Sequence, residues 1–159
     1  MAGACAHQAE ADGLSGAALM AQLSAAESRL AEDEQRLTAP RRRVLELLLE
    51  AGQPVKAYDL IAGYGEDGEP AKPPTVYRAL EFLERQGFVH RIESLNAFVA
   101  CRRGDVSHAA AFLICDCCGR SQEIAPVAAD ALNEAAAGAG YELTAITLEA
   151  HGRCGDCRA

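Results

Sequence analysis

Ala71-Lys72-Pro73-Pro74-Thr75-Val76-Tyr77-Arg78-Ala79-Leu80-Glu81-Phe82-Leu83-Glu84-Arg85-Gln86-Gly87 carries the pattern that orders the rest of the chain. Two prolines suit the first turn of a helix, where the backbone N–H has no intrahelical partner to lose. Val76, Ala79, Leu80 and Leu83 recur three or four residues apart and form one apolar stripe, and Gly87 closes the helix. The opposite face presents Thr75, Arg78, Glu81 and Arg85, while Tyr77 is expected to pack beneath the helix.

On the C-terminal side come two short β-rich runs, Phe88–Ile92 and Ala97–Cys101, separated by Glu93-Ser94-Leu95-Asn96, which predicts a small hairpin. On the N-terminal side, Leu19, Leu23, Ala26 and Leu30 predict an amphipathic helix near residues 16–36. Thr38 as N-cap and Pro40 in the first turn open a second helix, which runs through Val44, Leu45, Leu48 and Leu49 to Gly52. A third, around residues 57–64, turns Leu60 and Ile61 inward, although Lys56 offers no cap acceptor at its start. Helices followed by a hairpin are the order of a winged helix-turn-helix. Beyond residue 110 the pattern changes. Ala111–Cys115 and Ser121–Ile124 read as strands, Pro126–Ala137 as a helix and Tyr141–Ala150 as a longer strand, a small α/β unit. The fold class is therefore α+β. Residues 1–13 are a disordered N-terminus, 14–103 the winged-helix domain, 104–109 a hinge and 110–159 the second domain.

Bulk composition narrows the function. Half of the residues are apolar, enough for a core, and no apolar run approaches the ~20 residues that span a bilayer. The N-terminus has neither a basic start nor a continuous apolar stretch, so the expected location is the cytoplasm. The net charge of −8 is unevenly spread. Residues 1–35 carry six acidic residues and one basic, residues 36–105 ten and eleven, and residues 106–159 seven and three. Any phosphate contact therefore has to come from the middle segment.

The seven cysteines include two C-x-x-C pairs, Cys115/Cys118 and Cys154/Cys157, with 35 residues between the pairs. An odd count with paired C-x-x-C reads as metal in a reducing compartment rather than as a disulfide framework. Each C-x-x-C turn aims two sulfurs at one ion, and two turns complete a closed tetrahedral zinc site of the structural kind. Cys117, inside the first pair, is expected to point outward. A second candidate set is His90, Cys101, His108 and Glu123, an N/S/N/O group suited to tetrahedral zinc. His90 and Cys101 fall on the two strands of the hairpin, so they can face one another. His108 falls in the hinge and Glu123 in the second domain, so one ion there would tie the domains together.

Five strings resemble the ferric uptake regulator family: Leu37-Thr38-Ala39-Pro40-Arg41, Ala57-Tyr58-Asp59-Leu60, the Ala71–Leu80 run, Gln86-Gly87-Phe88-Val89-His90, and Ile114-Cys115-Asp116-Cys117-Cys118-Gly119. The ending Glu149-Ala150-His151-Gly152-Arg153-Cys154 with Cys157 is similar to its zinc uptake regulator branch. The resemblance spans residues 36–157 in order. It implies a homodimer of winged-helix arms on C-terminal dimerisation domains. It implies two Zn2+ ions per protomer, a structural one at Cys115, Cys118, Cys154 and Cys157 and a regulatory one at His90, Cys101, His108 and Glu123. The zinc-loaded dimer would bind palindromic operator DNA and repress zinc uptake genes. Arg78 would pair with guanine in the major groove, Tyr58 would be a second base contact, and Thr75, Lys72 and Arg41 would hold phosphate.

The sequence departs from the iron-type pattern of clustered histidines before the first C-x-x-C, since Ser107-His108-Ala109-Ala110-Ala111 holds a single His. A thiolate in the second set also suits zinc better than iron or manganese. Other readings stand beside this one: a regulator of the same family sensing iron, manganese or nickel, a dimer that buffers zinc without reading DNA, and a zinc enzyme with Glu123 as general base. Neither a membrane partner nor a small-molecule substrate is expected. DNA titrations with and without zinc separate these classes.

Overall fold

The computed structural model describes residues 12–101, 109–125 and 128–158, which fall into two compact units, one on each side of residues 102–108.

The first unit is four helices and a hairpin: α1 (Gly16–Glu32), α2 (Ala39–Ala51), α3 (Ala57–Ala62), α4 (Pro73–Arg85), β1 (Val89–Ile92) and β2 (Ala97–Ala100). Its core is the meeting of the expected stripes. Leu23 and Leu30 of α1, Val44 and Leu48 of α2, and Val76, Leu80 and Leu83 of α4 are almost wholly removed from water. Each such side chain is worth about 1.5–3 kcal/mol relative to exposure. The core therefore fixes α4, so whatever its outer face carries is held rigidly.

Several ends differ from expectation, each for a local reason. α1 stops at Glu32, four residues early, because Glu34 turns left-handed (φ 55°). Gln35 N–H then donates to Leu30 O at 2.8 Å and Glu34 N–H to Ala31 O at 3.2 Å, satisfying carbonyls of the last turn. Thr38 holds the N-cap position of α2 in extended conformation, but its hydroxyl makes no capping bond. Gly52 closes α2 at φ 59°, and a Cβ there would lie 2.4 Å from the backbone of Asp12 and Gly13, so no other residue fits. α3 starts at Ala57 behind an uncapped Lys56 and ends at Ala62. The loop from α3 to α4 is held by Gly65 N–H to Glu69 O at 3.0 Å and Ala71 N–H to Ile61 O at 2.9 Å.

β1 and β2 pair antiparallel, His90 opposite Val99, and the turn between them closes on left-handed Asn96. A third segment joins the wing. Val55 and Phe98 exchange both backbone hydrogen bonds at 2.8 Å.

The second unit holds β3 (Ala110–Cys115), β4 (Ser121–Ile124), α5 (Ala129–Gly138) and β5 (Thr147–Gly152). β3 is central, antiparallel to β4 and parallel to β5, with α5 inside the long connection between the outer strands. The last strand begins six residues later than Tyr141 and runs to Gly152, because pairing with β3 starts at Ala110 opposite Thr147. α5 starts at Ala129 rather than Pro126, after Ala128 in left-handed conformation (φ 66°). None of its described residues is buried, and Leu132, Tyr141 and Leu143 are exposed. Among the described residues, no helix is long and apolar enough to cross a membrane.

Candidate metal centres and nucleic-acid face

β3 delivers Cys115 at its end, and the chain folds back through Gly119, whose N–H donates to Cys115 O at 2.9 Å. β5 delivers Cys154 just beyond its end, and a 3-10 turn over Gly155–Cys157 brings Cys157 back. Parallel pairing of β3 with β5 aligns the two knuckles: Asp116 N–H donates to Gly152 O at 2.8 Å, and Cys154 N–H donates to the Cys115 sulfur at 3.3 Å. All four Sγ atoms lie within 4.8 Å of one another, with Cys118 and Cys154 sulfurs 3.9 Å apart. Four Zn–S bonds of ~2.3 Å in a tetrahedron imply S···S edges of about 3.8 Å, so the donor set fits zinc. All four cysteines are free of disulfides.

The sulfurs are not equivalent. Backbone N–H donors of Cys118 and Cys154 lower the Cys115 thiol to about 6, while burial among the other three sulfurs pushes Cys157 up to about 12. Two polar cross-links flank the cluster. His151 Nδ1 lies 3.0 Å from Asp116 Oδ1, and Arg120 Nη1 lies 2.9 Å from Asp156 Oδ2. Each joins one knuckle to the other, and His151 is thereby engaged with a carboxylate. His7 lies outside the described residues.

Of the second candidate set, the wing supplies two members. His90 stands on β1 and Cys101 directly follows β2, whose end is fixed by Cys101 N–H donating to Phe88 O at 2.8 Å. Both are half-buried, and a ring nitrogen of His90 comes within 4.8 Å of the Cys101 sulfur. Glu123 stands on β4 of the second unit, paired in register with Phe112. His108 lies outside the described residues.

The face of α4 away from the core carries the charge. Lys72 occupies the N-cap and Arg78 is exposed, with Thr75 half-buried between them. Pro73 and Pro74 carry no N–H and Thr75 N–H donates to Lys72 O at 2.9 Å, so the positive end of this helix comes from its dipole and from Lys72 itself. Tyr58, on α3, is 77 % exposed. Tyr77 is not packed beneath the helix as expected. It is 54 % exposed, since Val76 and Leu80 fill the core face and leave it at the stripe's edge. Arg41 is half-buried and has internal work: its guanidinium lies 3.4 Å over the Phe82 ring and Nη1 donates to Arg36 O at 2.8 Å. That leaves Arg78 and Lys72 as the more freely presented cations of the five candidates.

The model of the ferric uptake regulator family matches residues 32–151. The zinc uptake regulation protein of Escherichia coli (strain K12) is 43 % identical over 137 residues, 85 % of this chain and 80 % of that protein. A solved zinc uptake regulator complexed with zinc and DNA superimposes with a TM-score of 0.82 at 40 % identity, covering 90 % of this chain and 97 % of that one. The crystal structure of holo XcZur gives a TM-score of 0.79 at 43 % identity, covering 87 % and 97 %.

Proposed function

The chain belongs to the ferric uptake regulator family, and from that premise we propose that it is a zinc-responsive transcriptional repressor whose zinc-loaded homodimer binds palindromic operator DNA upstream of zinc uptake genes. The observation that carries this reading is the pairing, in one chain, of a closed four-sulfur centre with a rigidly seated helix whose outer face offers Arg78 and Lys72. Such a protein works in the cytoplasm, where the thiols of Cys101 and of the four-sulfur cluster, all free of disulfides here, stay reduced. The second copy covers the apolar side chains that the α5 region leaves open, Leu132, Tyr141 and Leu143.

Two zinc ions per protomer have different tasks. Zinc at Cys115, Cys118, Cys154 and Cys157 supplies a covalent-like staple with no open coordination position, so the site is structural rather than catalytic. The regulatory set is His90, Cys101, His108 and Glu123, with donors contributed from both units and from the segment that joins them. Cys101 gives this set a soft ligand, which favours zinc over iron or manganese. Ligation restricts the wing and the linking segment, and metal and DNA affinities are then coupled reciprocally, typically by about 1–3 kcal/mol.

On the DNA side, Arg78 reads sequence by bidentate pairing with guanine, Tyr58 contacts bases beside it, and Lys72, Thr75 and Arg41 hold phosphate. Tyr77 joins the base-facing side chains. Titrating palindromic and random duplexes with and without zinc tests the whole reading, which fails if zinc leaves the preference unchanged. Arg78→Ala is expected to lower operator preference by about 1–3 kcal/mol. Lys72→Ala is expected to weaken both duplexes alike and to flatten the salt dependence by about one unit of slope. Equal losses on both duplexes for Arg78→Ala would remove its reading role.

A further inference from the structure

Arg29 belongs to none of the sets above, yet it sits where the wing meets the reading helix. It reaches out of α1, and its Nη2 donates to Gln86 O at 2.7 Å. Gln86 caps the C-terminus of α4. The same guanidinium lies 3.6 Å over the ring of Phe88. Phe88 in turn accepts the Cys101 N–H at 2.8 Å, and Arg29, Phe88, Gly87 and Cys101 line one cavity of about 120 Å3. Gly87, left-handed at φ 73°, lies between the two residues that Arg29 holds.

We propose that Arg29 is a positioning residue that couples metal ligation at Cys101 to the seating of α4, by clamping the Gln86–Gly87–Phe88 turn so that a shift of the wing becomes a shift of the reading helix. The inference rests on the proposed role of Cys101 as a regulatory ligand.

The physical case has three parts. A glycine turn between helix and strand is soft, and an unclamped one absorbs a displacement of Phe88 by rotating its own dihedrals. Arg29 removes that freedom, because one rigid planar group grips both sides of the turn with a hydrogen bond and a ring stack. Its cation also faces the negative end of the α4 dipole, where positive charge is favoured. Burial disfavours the charge of Arg29, whereas the nearby Cys101 sulfur and Asp33 favour it. Arg29 and Cys101 line the same cavity, so a displacement of Cys101 on ligation bears on Phe88, which accepts its N–H, and through the ring stack on Arg29.

The test is a thermodynamic cycle on the full-length protein with its four-cysteine zinc in place. Zinc affinity at the second site is measured by chelator competition, with and without operator duplex, for wild type, Arg29→Met, Arg29→Lys and Cys101→Ser. In wild type the operator should tighten zinc binding by roughly 5–150-fold, and zinc should tighten operator binding by the same factor. Arg29→Met keeps the apolar stem but loses charge, fork and stack. It should bring that factor to within about twofold of unity, with zinc affinity off DNA, thermal midpoint and zinc-free affinity for random duplex close to wild type. Arg29→Lys, which keeps charge alone, should restore part of the factor. A wild-type factor in Arg29→Met overturns the proposal while leaving the regulatory site intact. Zinc binding and coupling that survive in Cys101→Ser overturn both. A lowered thermal midpoint in Arg29→Met with the coupling factor unchanged would make Arg29 a purely structural clamp, which also overturns it.

Discussion

Cys154→Ser is expected to yield protein that has lost its tightly held zinc and no longer forms a stable dimer. The second unit has little else to hold it. Among the described residues its buried apolar side chains are Ala110, Ala111, Phe112 and Ile114, together with Cys115 and Cys157 of the four-sulfur cluster. α5 contributes no buried residue. A structural zinc site is worth about 10–16 kcal/mol of apparent binding energy in zinc-finger peptides at neutral pH, more than a core of this size supplies. Serine keeps the shape but withholds the thiolate, and the remaining three sulfurs hold zinc far more weakly. Metal content per protomer and sedimentation analysis check the outcome together. A dimeric Cys154→Ser protein with one retained structural zinc contradicts it. Acidification should mimic the substitution in wild type, because ligation requires all four sulfurs deprotonated and protons compete for them.

Cys101→Ser should have the opposite character, a protein that folds and dimerises but no longer responds. The residue directly follows β2 in the first unit, whose core cluster does not include it. The variant should keep about one zinc per protomer and bind operator weakly at any buffered free zinc concentration, forfeiting a coupling of roughly 5–150-fold. Glu123→Ala should be milder, since water can take an oxygen position. Operator titrations over a range of free zinc decide the matter. A response curve identical to wild type would place the regulatory metal elsewhere.

The elements that were legible in advance were those with a strong period or a hard stop. Val76, Ala79, Leu80 and Leu83 between paired prolines and Gly87 left little freedom, and the two C-x-x-C knuckles needed only their spacing. What escaped was set by tertiary pairing. β5 begins at Thr147 rather than Tyr141 because β3 decides which residues find a partner. Val55 carries no strand signature, yet it extends the wing through Phe98. The early end of α1 depends on a left-handed glutamate, a conformation that propensity disfavours. Tyr77 sits at the margin of a stripe, where a period of 3.6 leaves inside and outside undecided. Arg29 was invisible because its meaning lies wholly in partners 57 and 59 positions away, Gln86 and Phe88.

The central place of β3 between β4 and β5 also orders events during synthesis. The first unit is continuous in sequence and closes on itself with β2, so it can fold once residue 101 has cleared the ribosome. The four-sulfur cage needs Cys157, and at about 5–20 residues per second the ribosome takes some seconds to reach it. For that interval a folded α4 exists on a chain whose four-sulfur cluster is incomplete. If the four sulfurs hold zinc as proposed, its capture by the closing knuckle is the step that turns a nascent reader into an assembled one.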